Sequence, residues 1–282
     1  MEVDKISPKV LRIDQKIGRS YEQWFLLTSD RHWDNPKSNW DLQKKHLEEA
    51  KARDAYVLDF GDLFCAMQGK YDKRSDKKDV RPEHQVTNYL DALVTTAADF
   101  FAPYADRIIQ VSPGNHESSI SKKHETNLLE RFCALLYHKT GQKVHLGTYA
   151  GWVQFGFQRA GENHLVVLHY DHGYGGGGAV TKGVIQSQRR STYLPDAHIV
   201  VSGHVHESYL MVFMRERLGH QGTPYLEEQT HICLPTYKEE YLPGEGWHIE
   251  TGKPPKPLGA WWLRFSYNSK YGKIDYELTQ AK

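Results

Sequence analysis

The chain has 282 residues, of which 39% are hydrophobic and 25% charged, a composition that excludes intrinsic disorder as the state of the whole chain. Its formal net charge of +1 excludes the strong global basic field by which many proteins gather nucleic acid. No apolar run approaches the length of a membrane span, and residues 1–16 lack the features of a cleaved signal peptide. The sequence therefore predicts a cytoplasmic protein with no membrane partner.

Three cysteines, Cys65, Cys133 and Cys233, are isolated in the sequence and odd in number. This pattern is typical of reduced thiols in a core and argues against a disulfide framework or a zinc knot. The chain also has 16 histidines, which is many for its length. Their positions decide how the sequence is interpreted.

The first part of the chain alternates strand-like and helix-like segments. WFLLTSD (24–30) and AYVLDFGD (55–62) predict buried strands. Between them LQKKHLEEAKAR (42–53) predicts a helix with Asp41 as its N-cap. The three segments together predict a βαβ unit.

Further along, residues 82–101 predict a helix, because Pro82 suits its first turn and apolar residues recur at helical spacing. RIIQVSPGNHE (107–117) predicts a strand that runs into a loop. Another helix is predicted from Thr126, with Gly141 as its C-cap.

From residue 144 the sequence is rich in apolar or alternating runs and poor in helical patterns. Two sheets packed face to face would accommodate so many strands, so the predicted fold class is α/β, of the layered α+β kind. Residues 1–282 are predicted to form one domain. Two irregular surface excursions are expected, one in the charged stretch 70–81 and one in the Pro- and Gly-rich stretch 242–259.

Five short motifs occur where apolar runs give way to turns. In order they are Asp30-Arg31-His32, Gly61-Asp62, Gly114-Asn115-His116-Glu117, His172-Gly173 and Gly203-His204-Val205-His206. Side chains at the ends of neighbouring strands converge on one rim of a sheet, so these distant positions are predicted to meet. In an extended segment, residues i and i+2 face the same side, which would aim both members of each D-x-H or H-x-H pair at one place.

Histidines and carboxylates in this pattern indicate a hydrolytic site for two metal ions. Such a site holds two dications about 3.5–4 Å apart, bridged by a carboxylate and a water. Because imidazole dominates the candidate ligands, divalent transition metals fit better than magnesium or calcium. Gly61 and Gly203 would let the backbone turn tightly beside the ions.

The ordered set D-x-H, G-D, G-N-H-E, H-G and G-H-x-H resembles the calcineurin-like metallophosphoesterase superfamily over residues 21–210. The resemblance implies two mixed β-sheets packed as a sandwich flanked by helices, with residues 211–282 as a strand-rich C-terminal extension. It implies two divalent transition-metal ions, with Mn²⁺ as the leading choice and iron, zinc or nickel as alternatives. The implied metal ligands are Asp30, His32, Asp62 and His206 for one ion, and Asp62, Asn115, His172 and His204 for the other, with Asp62 bridging the two.

The same resemblance implies His116 as the general acid that protonates the leaving oxygen after attack by a metal-activated hydroxide. Glu117 is a second catalytic candidate, which would orient His116 or a neighbouring loop. One metal ligand is ambiguous, because HLVVLHYDHG (164–173) contains two histidines near a strand end. His172 is preferred, because His-Gly followed by a glycine-rich loop is the more family-like arrangement, and His169 is the alternative.

The sequence departs from the phosphoprotein phosphatase branch of this superfamily. That branch carries Asp-Arg-Gly shortly after Gly-Asp and an arginine just before Gly-Asn-His-Glu. Here the corresponding positions are Leu63-Phe64-Cys65-Ala66 and Ser112-Pro113. The missing arginines favour a phosphodiester among phosphate-ester substrates.

Two alternative functions stay open. A DNA or RNA nuclease is suggested by the basic stretch 70–81 and by the aromatic pair Trp261-Trp262, which would either pack in a strand or stack on bases. A non-catalytic metal-binding scaffold for a protein partner is the other.

The glycine-rich tract 173–178 with Lys182 would form either a phosphate-binding nest or a flexible lid. The sequence does not indicate an oligomeric state.

Overall fold

A computed structural model of the protein describes residues 1–66, 79–176, 178, 180–242 and 247–282. The strands are β1 (Glu2–Ser7), β2 (Val10–Lys16), β3 (Glu22–Thr28), β4 (Tyr56–Asp59), β5 (Ile108–Val111), β6 (His145–Leu146), β7 (Ala150–Arg159), β8 (Glu162–Asp171), β9 (Ile199–Ser202), β10 (Tyr209–Leu218), β11 (Pro224–Cys233), β12 (Ala260–Asn268) and β13 (Lys273–Ala281). The α-helices are α1 (Trp40–Ala52), α2 (Tyr89–Phe101), α3 (Asn115–His124), α4 (Leu128–Thr140), α5 (Val184–Tyr193) and α6 (Trp247–Glu250).

The strands form two mixed sheets. One has seven strands in the order β1-β2-β7-β8-β9-β11-β10, and the other has six in the order β13-β12-β3-β4-β5-β6. The pairs β3–β4 and β4–β5 in the six-stranded sheet are parallel, as is β8–β9 in the seven-stranded sheet. The predicted fold class, an α/β protein with two mixed sheets and accompanying helices, is confirmed.

The period-two alternation of β3 shows how the core is divided. Phe25 and Leu27 point into a cluster that the two sheets bury between them, where Phe155 and Phe265 also lie. Leu26 points to the opposite face of the six-stranded sheet, into a second cluster formed with α1, α2 and α4. The six-stranded sheet is therefore covered by the other sheet on one face and by helices on the other.

The predicted βαβ unit of β3, α1 and β4 is confirmed, but its N-cap prediction is wrong. The side chain of Asn39, not Asp41, accepts a hydrogen bond from the backbone N–H of Leu42 at 2.9 Å. Asp41 instead lies in the first helical turn, where its negative charge complements the helix dipole.

The helix predicted over 82–101 begins later than expected. Pro82–His84 form one 3₁₀ turn, and α2 starts only at Tyr89. The break occurs because His84 turns inward to pack on Trp33 and to hydrogen-bond Thr96, while Val86 stays 46% exposed. The helix predicted from Thr126 corresponds to α4, which is capped by Asn127 and ends at Gly141 in a left-handed conformation, as predicted for the latter.

Three helices were not predicted, among them the short α6 in the stretch expected to be irregular. The segment expected to be a loop after β5 opens α3 at Asn115, and α5 lies in the half expected to be strand-rich. The strands predicted beyond residue 211 lie in both sheets, since β12 pairs with β3 and β11 with β9. The prediction of a loop at 70–81 falls largely outside the described residues, as does part of the excursion at 242–259. Among the described residues, no helix is long and apolar enough to cross a bilayer.

Candidate metal centre

The predicted site residues follow the carboxyl ends of strands in both sheets. Asp30 comes after β3, Asp62 after β4, Asn115 after β5, His172 after β8, and His204 and His206 after β9. Parallel neighbours deliver their ends to the same edge of a sheet, so this placement brings residues from distant parts of the chain together.

Asp30, His32 and His206 form one group, here called position A, in which the candidate ligand atoms all lie within 4.8 Å of one another. Asp30 Oδ1 is 3.1 Å from His206 Nε2 and 3.8 Å from His32 Nε2. The two Nε2 atoms are themselves 3.2 Å apart. Two imidazole nitrogens and a carboxylate oxygen thus face one point.

Asp62, Asn115, His172 and His204 form a second group, here called position B. His172 Nε2 lies 3.1 Å from Asp62 Oδ2 and 3.2 Å from Asn115 Oδ1, and Asn115 Oδ1 lies 2.7 Å from His204 Nδ1. His172 Nε2 is also 4.0 Å from Asp30 Oδ1, which joins the two positions. All seven predicted ligands therefore lie in one cluster.

The backbone that carries these side chains is not extended. The φ angles of Asp30, His32, Asp62, His204 and His206 are 53°, 43°, 54°, 70° and 54°, all in the left-handed region. The strand alternation predicted to aim each i, i+2 pair is therefore wrong, although both pairs do converge. Non-glycine residues in this region cost about 1–3 kcal/mol each, and such strain concentrates at functional sites.

Two motif glycines leave room that a side chain would fill. A Cβ at Gly61 would lie 2.3 Å from His172 Nδ1, and Gly61 itself has a φ of +115°. A Cβ at Gly203 would lie 2.2 Å from the Oγ of Ser29. Both positions thus require glycine for close approach to the cluster, in agreement with the predicted reason for these residues.

Neighbouring carboxylates and imidazoles shift the pKa values of the histidines in the cluster. Burial lowers the pKa of His172, but the carboxylates of Asp62 and Asp30 outweigh it and raise that pKa to about 10. Burial and the neighbouring His116 lower the pKa of His32, and burial and His172 lower that of His204. A protonated His172 thus supplies the positive charge that balances the two neighbouring carboxylates.

The donor set fits divalent transition metals. Imidazole nitrogens and carboxylate oxygens are the ligands that such ions prefer, and both positions offer them from buried, strained backbone. Asp30, His32 and His172 are at most 2% exposed, whereas Asn115, His204 and His206 are only partly buried. The cluster is therefore closed on one side and open on the other.

His116 lies at the edge of this cluster. Its backbone N–H donates to Asp62 Oδ1 at 3.0 Å, and its Nδ1–H donates to the carbonyl oxygen of Cys65 at 2.5 Å. Its Nε2 is 3.7 Å from Asp62 Oδ2, and its ring packs edge-to-face on that of His32. The hydrogen bond at Nδ1 leaves Nε2 available to the site.

Glu117 contacts backbone. Its two carboxylate oxygens accept hydrogen bonds from the N–H groups of Phe64, at 2.8 Å, and Gly114, at 2.9 Å. Burial and the charge of Asp62 raise its pKa to about 8. Of the two roles predicted for Glu117, these contacts correspond to the positioning of a neighbouring loop.

The two histidines of β8 and its end are separated by the structure. His172 belongs to position B, whereas the ring of His169 packs on Trp152 at a centroid distance of 4.6 Å.

Trp261 and Trp262 pack in β12, where they are 5% and 3% exposed, and this burial removes the base-stacking alternative. The nest or lid at 173–178 stays a prediction, because Gly177 lies outside the described residues.

Sequence reasoning missed contacts from the C-terminal region. The carbonyl oxygen of Asp30 accepts hydrogen bonds from Tyr237 N, at 3.1 Å, and Thr236 Oγ1, at 2.8 Å. Arg31, inside the first motif, points away from the cluster and bonds Asp59 at 2.8 Å. No local pattern marks residues 236–237, because their contact with Asp30 spans more than two hundred positions.

Comparison with known proteins adds no assignment. No protein-family model and no curated protein matches this sequence. The chain is similar in structure to GAP50, the anchor in the inner membrane complex of Plasmodium (TM-score 0.44, 10% identity, covering 93% of this chain and 85% of that one). It is also similar to a conserved uncharacterized protein of Streptococcus pneumoniae described as a predicted phosphoesterase (TM-score 0.33, 9% identity, covering 93% of this chain and 99% of that one). A third similar structure is Vps29 of Chaetomium thermophilum (TM-score 0.37, 8% identity, covering 92% of this chain and 95% of that one). The cluster itself is therefore the basis for assigning function.

Proposed function

We propose that this protein is a calcineurin-like metallophosphoesterase that hydrolyses phosphate esters, with phosphodiesters preferred over monoesters. The observation that carries the proposal is the convergence of all seven predicted ligands, from both sheets, on one buried cluster with adjoining positions A and B. Scattered polar side chains are not buried together in left-handed backbone without a compensating function. The motif order and the geometry support the same reaction class.

The proposed cofactors are two divalent transition-metal ions, Mn²⁺ or otherwise iron, zinc or nickel. Asp30, His32 and His206 would hold one at position A, and Asn115, His172 and His204 the other at position B, with Asp62 shared. When bound, such ions lower the pKa of a coordinated water and neutralise charge on phosphate oxygens.

The chain's own residues supply proton transfer and orientation. His116, with Nδ1–H fixed on the carbonyl of Cys65, presents Nε2–H toward the departing oxygen and donates its proton as the P–O bond breaks. Glu117 holds the backbone of Gly114 and Phe64, which fixes the turn that carries His116. Substrate enters from the open side, beside Asn115 and His206.

The proposed preference for diesters rests on the pairing of two cations near the site with carboxylates of the protein. A phosphomonoester dianion carries one more negative charge than a diester and gains most from bidentate arginines. Arg31 forms an ion pair with Asp59 in the core, and Lys238 forms an ion pair with Glu240 at 2.7 Å. The positions where a phosphoprotein phosphatase has arginines carry Leu63 to Ala66 and Ser112-Pro113. A diester therefore suits this site better.

Hydrolysis of two chromogenic substrates tests the proposal. Purified protein with Mn²⁺ should hydrolyse bis(p-nitrophenyl) phosphate faster than p-nitrophenyl phosphate, and elemental analysis should find bound metal. Absence of both hydrolysis and bound metal would reject the enzyme.

The variant His116→Ala separates an enzyme from a non-catalytic scaffold. Turnover should fall by about 10²–10⁴-fold, the effect of a lost general acid, while metal content stays unchanged. His138→Ala is the matched control, because His138 is exposed at the end of α4 and should leave turnover at the wild-type value. Metal binding without turnover in the wild type would support the scaffold.

A further inference from the structure

A third group of metal-binding atoms borders position A. The sulfur of Cys65 and ring nitrogens of His32 and His116 all lie within 4.8 Å of one another. Cys65 is 1% exposed, and nothing in the motif pattern assigns it a role. Because His32 belongs to both groups, the buried thiol directly borders position A.

The backbone around Cys65 is fixed by side chains of the site. Asp34 accepts hydrogen bonds from the N–H groups of Cys65, at 2.5 Å, and Ala66, at 2.8 Å. The carbonyl of Cys65 accepts the Nδ1–H of His116. Three hydrogen bonds thus hold the residue on both sides of its Cα, so the sulfur is preorganised beside His32.

The sulfur of Cys65 accepts a hydrogen bond from a neighbouring amide. Asn35 Nδ2 donates to Cys65 Sγ at 3.4 Å, the kind of hydrogen bond that stabilises metal-bound thiolates. Burial raises the pKa of the free thiol to about 12, and the ammonium of Lys238 acts in the opposite direction. Without a cation the residue is a neutral thiol, and a bound dication would take the place of its proton.

We propose that Cys65 is an additional ligand of the ion at position A, bound through its thiolate, and that it makes this position selective for softer metals. The inference rests on the proposed metal-dependent function. On binding, the S–H bond breaks, the proton leaves to solvent and a sulfur–metal bond forms, with no change of oxidation state. Position A then offers sulfur, nitrogen and oxygen, whereas position B offers only nitrogen and oxygen, so zinc or iron should be favoured over Mn²⁺ at position A.

Cobalt spectroscopy tests this ligand directly. Metal-free protein titrated with Co²⁺ should develop a near-ultraviolet sulfur-to-cobalt charge-transfer band, and Cys65→Ser should lack it. Cys133→Ser is the matched control, because Cys133 lies on α4 away from the cluster and should keep the band. In competition between Zn²⁺ and Mn²⁺, Cys65→Ser should lose at least about tenfold of its zinc preference.

A second measurement needs no variant. X-ray absorption of the zinc-loaded wild type should show one sulfur scatterer at about 2.3 Å, beyond the nitrogen and oxygen shell at about 2.0–2.2 Å. Two bound metal equivalents with no sulfur contribution would overturn the role of Cys65 and leave the phosphoesterase proposal intact. Failure to bind any metal would reject both.

Discussion

Positions A and B lie side by side but balance their charge differently. At position B, His172 sits between two carboxylates and has its pKa raised to about 10, so the metal-free group contains its own positive charge. At position A, the pKa of His32 is lowered by burial and by His116, so its ring is neutral. The difference arises because Nε2 of His172 is 3.1 Å from Asp62, whereas Nε2 of His32 is 3.8 Å from Asp30 and 3.2 Å from another imidazole.

Ligand type alone does not determine the charge of a candidate metal position. Both groups combine aspartate with histidine, yet carboxylates raise the pKa of His172 at position B, whereas burial and His116 lower the pKa of His32 at position A. An ion at position B must displace a proton from His172, whereas His32 at position A is already in the neutral form that binds metal. The two positions should therefore respond differently to the same substitution.

The largest effect is expected for the substitution Asp62→Asn, because Asp62 is the residue proposed to serve both positions. Asp62 contacts His172 and His116, and its proposed role is to bridge both ions. Both metal equivalents should be lost, and turnover should fall by more than the roughly 10²–10⁴-fold expected for a lost general acid. Metal analysis and diester hydrolysis measure the two effects.

Asp196→Asn is the control for that change, since Asp196 is exposed and remote from the motifs. It should bind two equivalents of metal and retain full activity. Retention of one tightly bound ion in Asp62→Asn would contradict the bridging role and would show which position is independent of this carboxylate.

A smaller effect should distinguish His172→Gln from His32→Gln in the metal-free protein. Removing His172 leaves two buried carboxylates without their cation, which should lower the free energy of unfolding by about 3 kcal/mol. Removing His32 deletes a neutral ring and should lower it by about 1 kcal/mol. Urea denaturation in the presence of a chelator measures both, and equal losses would contradict the charge difference between the positions.

The convergence of the motif residues was predictable from the sequence, because each motif lies shortly after an apolar run. The runs before Asp30 and Asp62 are the strands β3 and β4, and the turn after each strand is a local property that motif position reveals. Convergence then follows from the parallel pairing of the strands. The fold class was predictable for the same reason, since apolar periodicity determines which faces are buried.

The conformation of the site was not predictable in this way. The i, i+2 rule assumes extended backbone, whereas Asp30 and His32 have φ angles of 53° and 43°, a conformation that tertiary contacts impose against local preference. The hydrogen bonds of Tyr237 and Thr236 to Asp30 depend on the path of the C-terminal region. Cys65 was predicted to be a reduced core thiol and was noted as a departure from the arginine pattern, but its proximity to His32 is a tertiary contact that the sequence does not reveal.

The smallest expected effect concerns buried histidines outside the cluster, which resemble His32 in having lowered pKa values. Burial lowers the pKa of His46, His169 and His231 from the ordinary 6.5 to about 4. Between these values the unfolded chain binds more protons than the folded one, so stability is fully present above pH 6.5 and is lost as the pH falls toward 4. Each residue should contribute on the order of 1 kcal/mol to this loss.

The variant His46→Gln tests that slope, because His46 Nδ1 bonds the hydroxyl of Tyr237 at 2.9 Å in the interior, away from the metal ligands. Unfolding should be followed in chelator from pH 6.5 to 4, so that release of metal makes no contribution. His46→Gln should show a shallower loss of stability than the wild type, whereas the exposed His138→Gln should match the wild type. Parallel curves for His46→Gln and the wild type would mean that His46 takes up its proton without unfolding, and the neutral state assigned to buried imidazoles, His32 included, would lose its support.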